Sequence, residues 1–580
     1  MEIHKHCKLS EVLKVFILPT FLKVLTVKDN FLDDSDIKSF LNDVVFKLST
    51  LEELDISNTL LLSNFRLMFI SALANFNCLK RLCLHNIGLA QQDVTSLAAV
   101  LPSLANLEIL NLSRNYISDE DTHAIFLALA HLKSLKVLEL SGIKLWGTRA
   151  VINEIRSLKS LEKLDLSFNY GGNVSIEVLD TLQYPFLSNL KVLSLSSNTM
   201  TPQDFVNLGR TLFSYAPLEE LILDSNHVGN SIIWLLCSTP NGPSAVHSLK
   251  TLSLANTGIG GAATEGLSCV LSNLRQLQVL NLSSNNLSSN NFQHLQPFLS
   301  NLVNLKVLNI NKNPGGSSML QHVLPFLKKL EELNVSSCNL RGDEVKIISP
   351  VISSLKSLKK LDLSNNKIGS VGANALAKVL SSLPFMETLD LSKTDISDEA
   401  MERTCVAINS LKRLKLLNLG GNQIGCQAVT ALADIVSSLD MLEELNLNAC
   451  GLGDNETETL FGNRVLLKHL KILVLSNNKL GNCGISALAR VLPSLISLQE
   501  LGLENVSFGK SGVQKLFEGI SLLTYLKKLH LSKTVVGSSG DEPLALAFPT
   551  LLLLEELMLG RTHIDISVKL CTAMVSLKYL

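Results

Sequence analysis

The chain has 580 residues, 46% of them hydrophobic and only 5% aromatic, and its 51 Lys and Arg nearly balance its 52 Asp and Glu. A charge this close to zero supplies no general field toward nucleic acid or anionic lipid, so neither is expected as a partner. No run of 18 apolar residues occurs, and the opening MEIHKHCKLSEVLKVFILPTF carries Lys14 inside its apolar stretch and no small-residue cleavage site, so neither a membrane span nor a secretory leader is read.

Residues 1–21 read as the helix half of a partial repeat, because CKLSEVLKVFILPTFLKVLTV aligns with the second half of the units that follow. From Leu22 the phrase L-x-x-L-x-L-x-x-[N/C/T]-x-[L/I] recurs about every 28 residues, twenty times in register, through Leu51, Leu358 and Met386 to Leu554. Such a period marks a solenoid, which grows by stacking units on a shared core, so residues 22–576 read as one domain of twenty repeats. Residues 577–580 read as the start of another. Neither end has the polar cap of a terminal repeat, so flanking sequence or a docked partner is expected to cover it.

Within a repeat the periodicity changes. In LKKLDLSNNKI, from Leu358, the residues Leu361 and Leu363 alternate with Lys360, Asp362 and Ser364, the pattern of a half-buried strand with its leucines inward. In SVGANALAKVLSSL, Val371, Ala375, Leu376, Val379 and Leu380 follow at helical spacing, with Gly369 and Gly372 ahead for a tight turn. The fold class is therefore α/β: a right-handed leucine-rich-repeat solenoid, a horseshoe with a parallel sheet on its concave face and helices on its convex face. No repeat can bury enough surface alone, so repetition itself makes the core. Position nine is a buried polar site, filled by Asn30, Asn115, Asn169, Asn198, Asn226, Asn285, Asn313, Asn366, Asn422 and Asn478, often alternating with Thr or Cys. Its amide is expected to bond turn backbone that no strand partner satisfies.

The sheet face looks plain, because Ser fills position seven in eleven of the twenty repeats and tight interfaces need aromatic and Arg anchors. The exception lies in repeats four to six: Arg114 and Tyr116, then Trp146, then Phe168 and Tyr170. All five follow a strand, so they are expected along one rim as a protein-binding patch; the alternative is that the aromatics pack on one another beneath the loops. Further on, CSTPNGPSAVHS, Cys237 to Ser248, combines two prolines with a 31-residue spacing and reads as a protruding loop.

In the second half LEELN at Leu330 recurs at Leu442, and Cys338 maps onto Cys450, so blocks of four repeats have been copied. Such growth suits a surface whose extent matters. Gly509, Lys510 and Ser511 resemble the end of a phosphate loop, but the glycine needed five residues earlier is Glu504, and the segment leads into a repeat helix. There is no H-E-x-x-H, G-x-S-x-G or paired metal-ligand spacing, and His85 and His530 come from opposite halves. No enzyme, cofactor or metal is expected. Eleven cysteines without a C-x-x-C pair suit a reducing compartment. Seven N-x-[S/T] matches, such as Asn111, Asn281 and Asn334, arise mostly because the repeat spells N-L-S or N-V-S.

Repeats of this length with a full helix and with Asn alternating with Cys or Thr resemble the ribonuclease-inhibitor-like class of leucine-rich repeats. IGSVGANALAKVL is especially similar to the repeat regions of NOD-like, NACHT-containing receptors. The resemblance covers about residues 8–580. It implies a noncatalytic, cytoplasmic scaffold that binds protein or senses a ligand in innate immune recognition or regulation. The same repeats occur in Ran GTPase activators and in actin regulators of the tropomodulin kind, but the acidic tail of the former and the actin-binding segments of the latter are not read. Partner identity and oligomeric state are not legible.

Overall fold

In a computed structural model the described residues are 22–29, 48–117, 119–143, 158–169, 188–200, 204–205, 217–231, 248–271, 274–462, 467–534, 536, 540–562, 567–574 and 577. The chain divides into two compact units, Met1–Asn286 and Leu287–Leu580. In each unit ten short strands pair in chain order and always in parallel. The first unit runs from Val24–Thr26 to Val279–Asn281, with Leu25 opposite Leu54 at one end and Leu252 opposite Leu280 at the other. The second runs from Val307–Asn309 to Glu556–Met558, with its central leucines matched from Leu308 to Leu557. The register never slips, because a one-residue slip would turn every leucine to solvent.

Among the described residues, all twenty strands are three residues long. The chain leaves the strand direction at position eight, where every repeat adopts a left-handed conformation, as at Arg114 (φ 58°), Phe168 (φ 58°), Asn365 (φ 55°) and Gly421 (φ 71°). Asn and Gly tolerate this region best, and the bulkier residues found there are held in it by their neighbours. The hydrogen-bond ladder continues through the bend: Leu363 donates to Asp390 at 2.9 Å and Asn365 to Ser392 at 2.9 Å. This is an α/β leucine-rich-repeat solenoid.

The core lies between strands and helices. Leu358, Leu361 and Leu363 from the strand side meet Ala373, Leu376 and Leu380 from helix Gly369–Leu380, all fully or almost fully buried. Here the structure corrects two expectations. The buried helix stripe is Gly372, Ala373, Leu376 and Leu380, whereas Val371 is 51% exposed. Ser364, expected to face outward, is buried beside Asp362, whose Oδ1 accepts its N–H at 3.0 Å. Of the other position-seven serines, Ser57, Ser113, Ser167, Ser283, Ser336 and Ser476 are buried too and Ser141, Ser196, Ser392 and Ser532 are half-buried, so this row is more wall than display.

Position nine ties neighbouring turns together. Asn366 donates through Nδ2 to the carbonyls of Val335 and Leu363 at 2.9 Å each, and its Oδ1 accepts the N–H groups of Cys338 and Leu340 at 3.0 Å each. Asn115, Asn169, Asn198, Asn226, Asn285 and Asn422 bond the previous turn in the same manner. Asn478 does so beneath Cys450, and Asn313 accepts from Leu287 at 2.9 Å. One Asn therefore serves two repeats, which leaves the preceding position nine free to be Ile87, Thr257, Cys338, Thr394 or Cys450. Asn30 lies outside the described residues.

Candidate protein-interaction surface

Three of the five rim residues fall among the described residues, all at the turn where the chain leaves a strand. Arg114 and Phe168 flank Gly142 in three successive turns: a side chain at Gly142 would lie 3.6 Å from Arg114 Cγ and 3.9 Å from Phe168 Cβ. Each turn is pinned to the next, since Arg114 donates to Ser141 at 2.7 Å and Phe168 to Ser196 at 2.8 Å. Tyr116, two residues beyond Arg114, is 71% exposed, and Phe168 is 45% exposed. Beside them, burial and then the Arg114 charge push the pKa of His85 below its ordinary value. Trp146, Tyr170 and nearly all of the Cys237–Ser248 segment lie outside the described residues.

The sheet also carries an ordered charge pattern that a repeat-by-repeat reading misses. Position two is Lys in every odd-numbered repeat and Glu in every even one, with Gln278 and Gln499 the exceptions. Neighbours pair across the strands: Glu52 takes Lys23 and Lys80 at 2.7 Å each, Lys136 meets Glu108 at 2.7 Å, Lys359 meets Glu331 at 2.5 Å and Lys471 meets Glu443 at 2.7 Å. The two lysine hydrogen bonds hold the Glu52 carboxyl down at about 2, and Lys359 likewise lowers the pKa of Glu331. The signal is present in the sequence at twice the repeat length. It becomes visible only when repeats are compared in pairs.

Other features are structural. At the phosphate-loop resemblance, the N–H groups of Gly509 and Gly512 donate to Asn482 Oδ1 at 2.9 and 3.2 Å, so the amides facing a phosphate in a true loop are already engaged. Cys338 and Cys450 are buried, with Sγ 3.2 and 3.4 Å from the carbonyls of Ile310 and Leu419; burial pushes their thiols up to about 11 and about 12. Asn111 bonds Glu139 at 2.7 Å and Asn281 bonds Ser253 at 3.0 Å within the sheet face. Among the described residues no group of His, Cys, Asp and Glu is placed to hold a metal ion, and no helix is long and apolar enough to cross a membrane.

Comparison with known proteins finds the same kind of repeat in sequence. A family model described as "Leucine Rich repeat" matches residues 354–377, 382–403 and 467–489. NACHT, LRR and PYD domains-containing protein 5 of Homo sapiens is 28% identical over 243 residues, 41% of this chain and 20% of that protein. Ribonuclease inhibitor of Sus scrofa is 29% identical over 206 residues, 35% of this chain and 44% of that protein. Among solved structures, an internalin from Listeria monocytogenes aligns with a TM-score of 0.37 and 20% identity, covering 70% of this chain and 88% of the other. The chain is a leucine-rich-repeat protein. Its repeats are of the ribonuclease-inhibitor-like kind and resemble the repeat regions of NACHT-containing proteins, of which it spans about a fifth.

Proposed function

We propose that the chain is a noncatalytic scaffold that binds another protein through its repeats, in the cytoplasm and in innate immune recognition or regulation. The observation that carries this reading is the unbroken register of each ten-strand sheet, which presents side chains from successive repeats as one continuous surface. Tyr116, Phe168 and Arg114 have the exposure and the residue types of an anchor cluster, to which the sequence pattern adds Trp146 and Tyr170. Support for the scaffold role comes from the relatives, one of which is by name an inhibitor of a ribonuclease, and support for the immune setting from the NACHT-containing ones. The cytoplasmic assignment rests on the thiols: the eight described cysteines are all free.

The test replaces Tyr116 and Phe168 with Ala and compares proteins retained from cytosolic extract by the two forms. Selective loss of specific partners with an unchanged melting curve is expected, since neither side chain is in the core. Truncated anchors commonly cost about 2 kcal/mol, roughly thirtyfold in affinity. A large fall in melting temperature with an unchanged set of partners would sink the patch.

A further inference from the structure

In the second unit, the turn that precedes each strand has a composition unlike its counterpart in the first. Phe385, Met441, Ile496, Leu522, Tyr525 and Leu552 all stand at this turn and are each 41–60% exposed. Among the described residues of the first unit the same turn holds no exposed large apolar side chain; small polar groups such as Asn106, Asn189 and Ser248 occupy it and bond back to the preceding turn. Because the strands are parallel and in register, these turns line one edge of the second unit.

The same edge is basic. Lys328, Lys329, Lys356, Lys412, Arg413 and Lys468 lie on it, against Asp440 as the one acidic residue at these turns. None of the six forms an ion pair among the described residues: the first four donate to Ser354, Asn304, the Ser382 carbonyl and Asn409, and Arg413 stacks over Phe385 with 4.8 Å to the ring centre. Two residues away, the position-two lysines Lys359, Lys415 and Lys471 are paired with glutamates, as in Lys415–Glu387 at 2.8 Å. Charge on the sheet is balanced internally, while charge on the edge is left open. The edge also changes along its length. Cations stand at this turn in repeats twelve, thirteen, fifteen and seventeen, interleaved with the exposed Phe326, Phe385 and Met441, whereas repeats eighteen to twenty carry Ile496, Leu522, Tyr525 and Leu552 and no cation.

We propose that this edge docks an extended segment of a partner protein, acidic with apolar residues interspersed over the part lying on repeats twelve to seventeen and apolar over the part lying on repeats eighteen to twenty. The inference rests on the scaffold reading above and assigns it a partner chemistry on a different edge from the Tyr116 patch. A protein segment fits better than a lipid surface because the cations are confined to one part of a line of apolar turns, an order that a chain can match and a fluid headgroup layer cannot. Strands stand about 4.8 Å apart, so eight spacings span roughly 40 Å, the length of about 12 extended residues.

The probe is a labelled peptide of about 15 residues, Asp and Glu in its first half and Leu or Phe alternating with Ser in its second, titrated with the full chain by fluorescence anisotropy. A basic peptide of the same layout is the control. We expect the acidic peptide to bind at least tenfold more tightly than the basic one. Two variants, Lys412→Glu with Arg413→Glu and Ile496→Ser with Tyr525→Ser, should each weaken binding about tenfold or more at an unchanged melting temperature. Equal binding of both peptides, no binding of either, or binding that neither variant weakens overturns the proposal. So does binding to phosphatidylserine vesicles that both variants abolish while the acidic peptide fails to compete, which would make the edge a lipid surface. Each of these results leaves the scaffold reading to be judged by the Tyr116 and Phe168 variant.

Discussion

Asn366 holds two turns at once through five hydrogen bonds, whereas the thiol of Cys338, at the same position one repeat earlier, makes a weak bond to the carbonyl of Ile310. Equivalent positions are therefore unequal in energy. Replacing Asn366 with Leu strands the N–H groups of Cys338 and Leu340 in the core at about 1–3 kcal/mol each, so a loss of about 3 kcal/mol or more is expected. Cys338→Ala should cost about 1–2 kcal/mol, mostly through the small cavity. Urea unfolding of the two variants gives the comparison, and equal midpoints would show that the amide bridge carries no weight. The leucines and the Asn, Thr and Cys of position nine were legible in the sequence because burial repeats them every 28 residues. The burial of Ser364 was not, because strand alternation alone does not reveal that Asp362 folds over the position-seven backbone.

Helices depend on their neighbours as the turns do. Asp398 opens helix Asp398–Ile408, yet its Oδ1 accepts from Gly425 at 2.7 Å and Ala428 at 3.0 Å, capping the start of the next helix, Cys426–Ser438. Asp454 does the same for Gly481 and Gly484 at 2.8 and 2.6 Å. Glycine leaves room for this cap, since a side chain at Gly481 would come within 2.7 Å of the capping carboxylate and push it aside. Asp398→Ala should cost about 1–2 kcal/mol. The damage should appear one repeat away: hydrogen exchange is expected to accelerate at Gly425 and Ala428 more than at the residues of helix Asp398–Ile408. The reverse order would show that Asp398 stabilises only its own helix. Sequence reading placed the helices but misjudged the face of Val371, because the apolar residues of SVGANALAKVL cover more than one stripe and only packing selects the buried one.

Over repeats twelve to seventeen, alternating charge at position two and alternating amide at position nine make the pair of repeats, not the single repeat, the unit of compatibility. Deleting Leu358–Phe385 would bring Glu331 beside Glu387 and leave Cys338 followed by Thr394, with no Asn to accept its turn amides. Deleting the longer stretch Leu358–Arg413 restores Glu331 beside Lys415 and Cys338 before Asn422. The longer deletion should therefore be the more stable protein at the new junction, by about 2–4 kcal/mol from the rescued amides and the relieved like-charge contact. Thermal melts of the two deletions settle it, and a lower melting temperature for the longer one would refute the pairing rule. This part of the design escaped a reading that aligned repeats singly, because each position-two residue taken alone is an ordinary surface charge. The rule also bears on descent. A duplication or loss that moves an odd number of repeats seats like beside like at its boundary, while an even one heals without a scar. Chains sharing this ancestry should then differ in length by steps of two repeats, and the copied blocks of four seen here are steps of that kind.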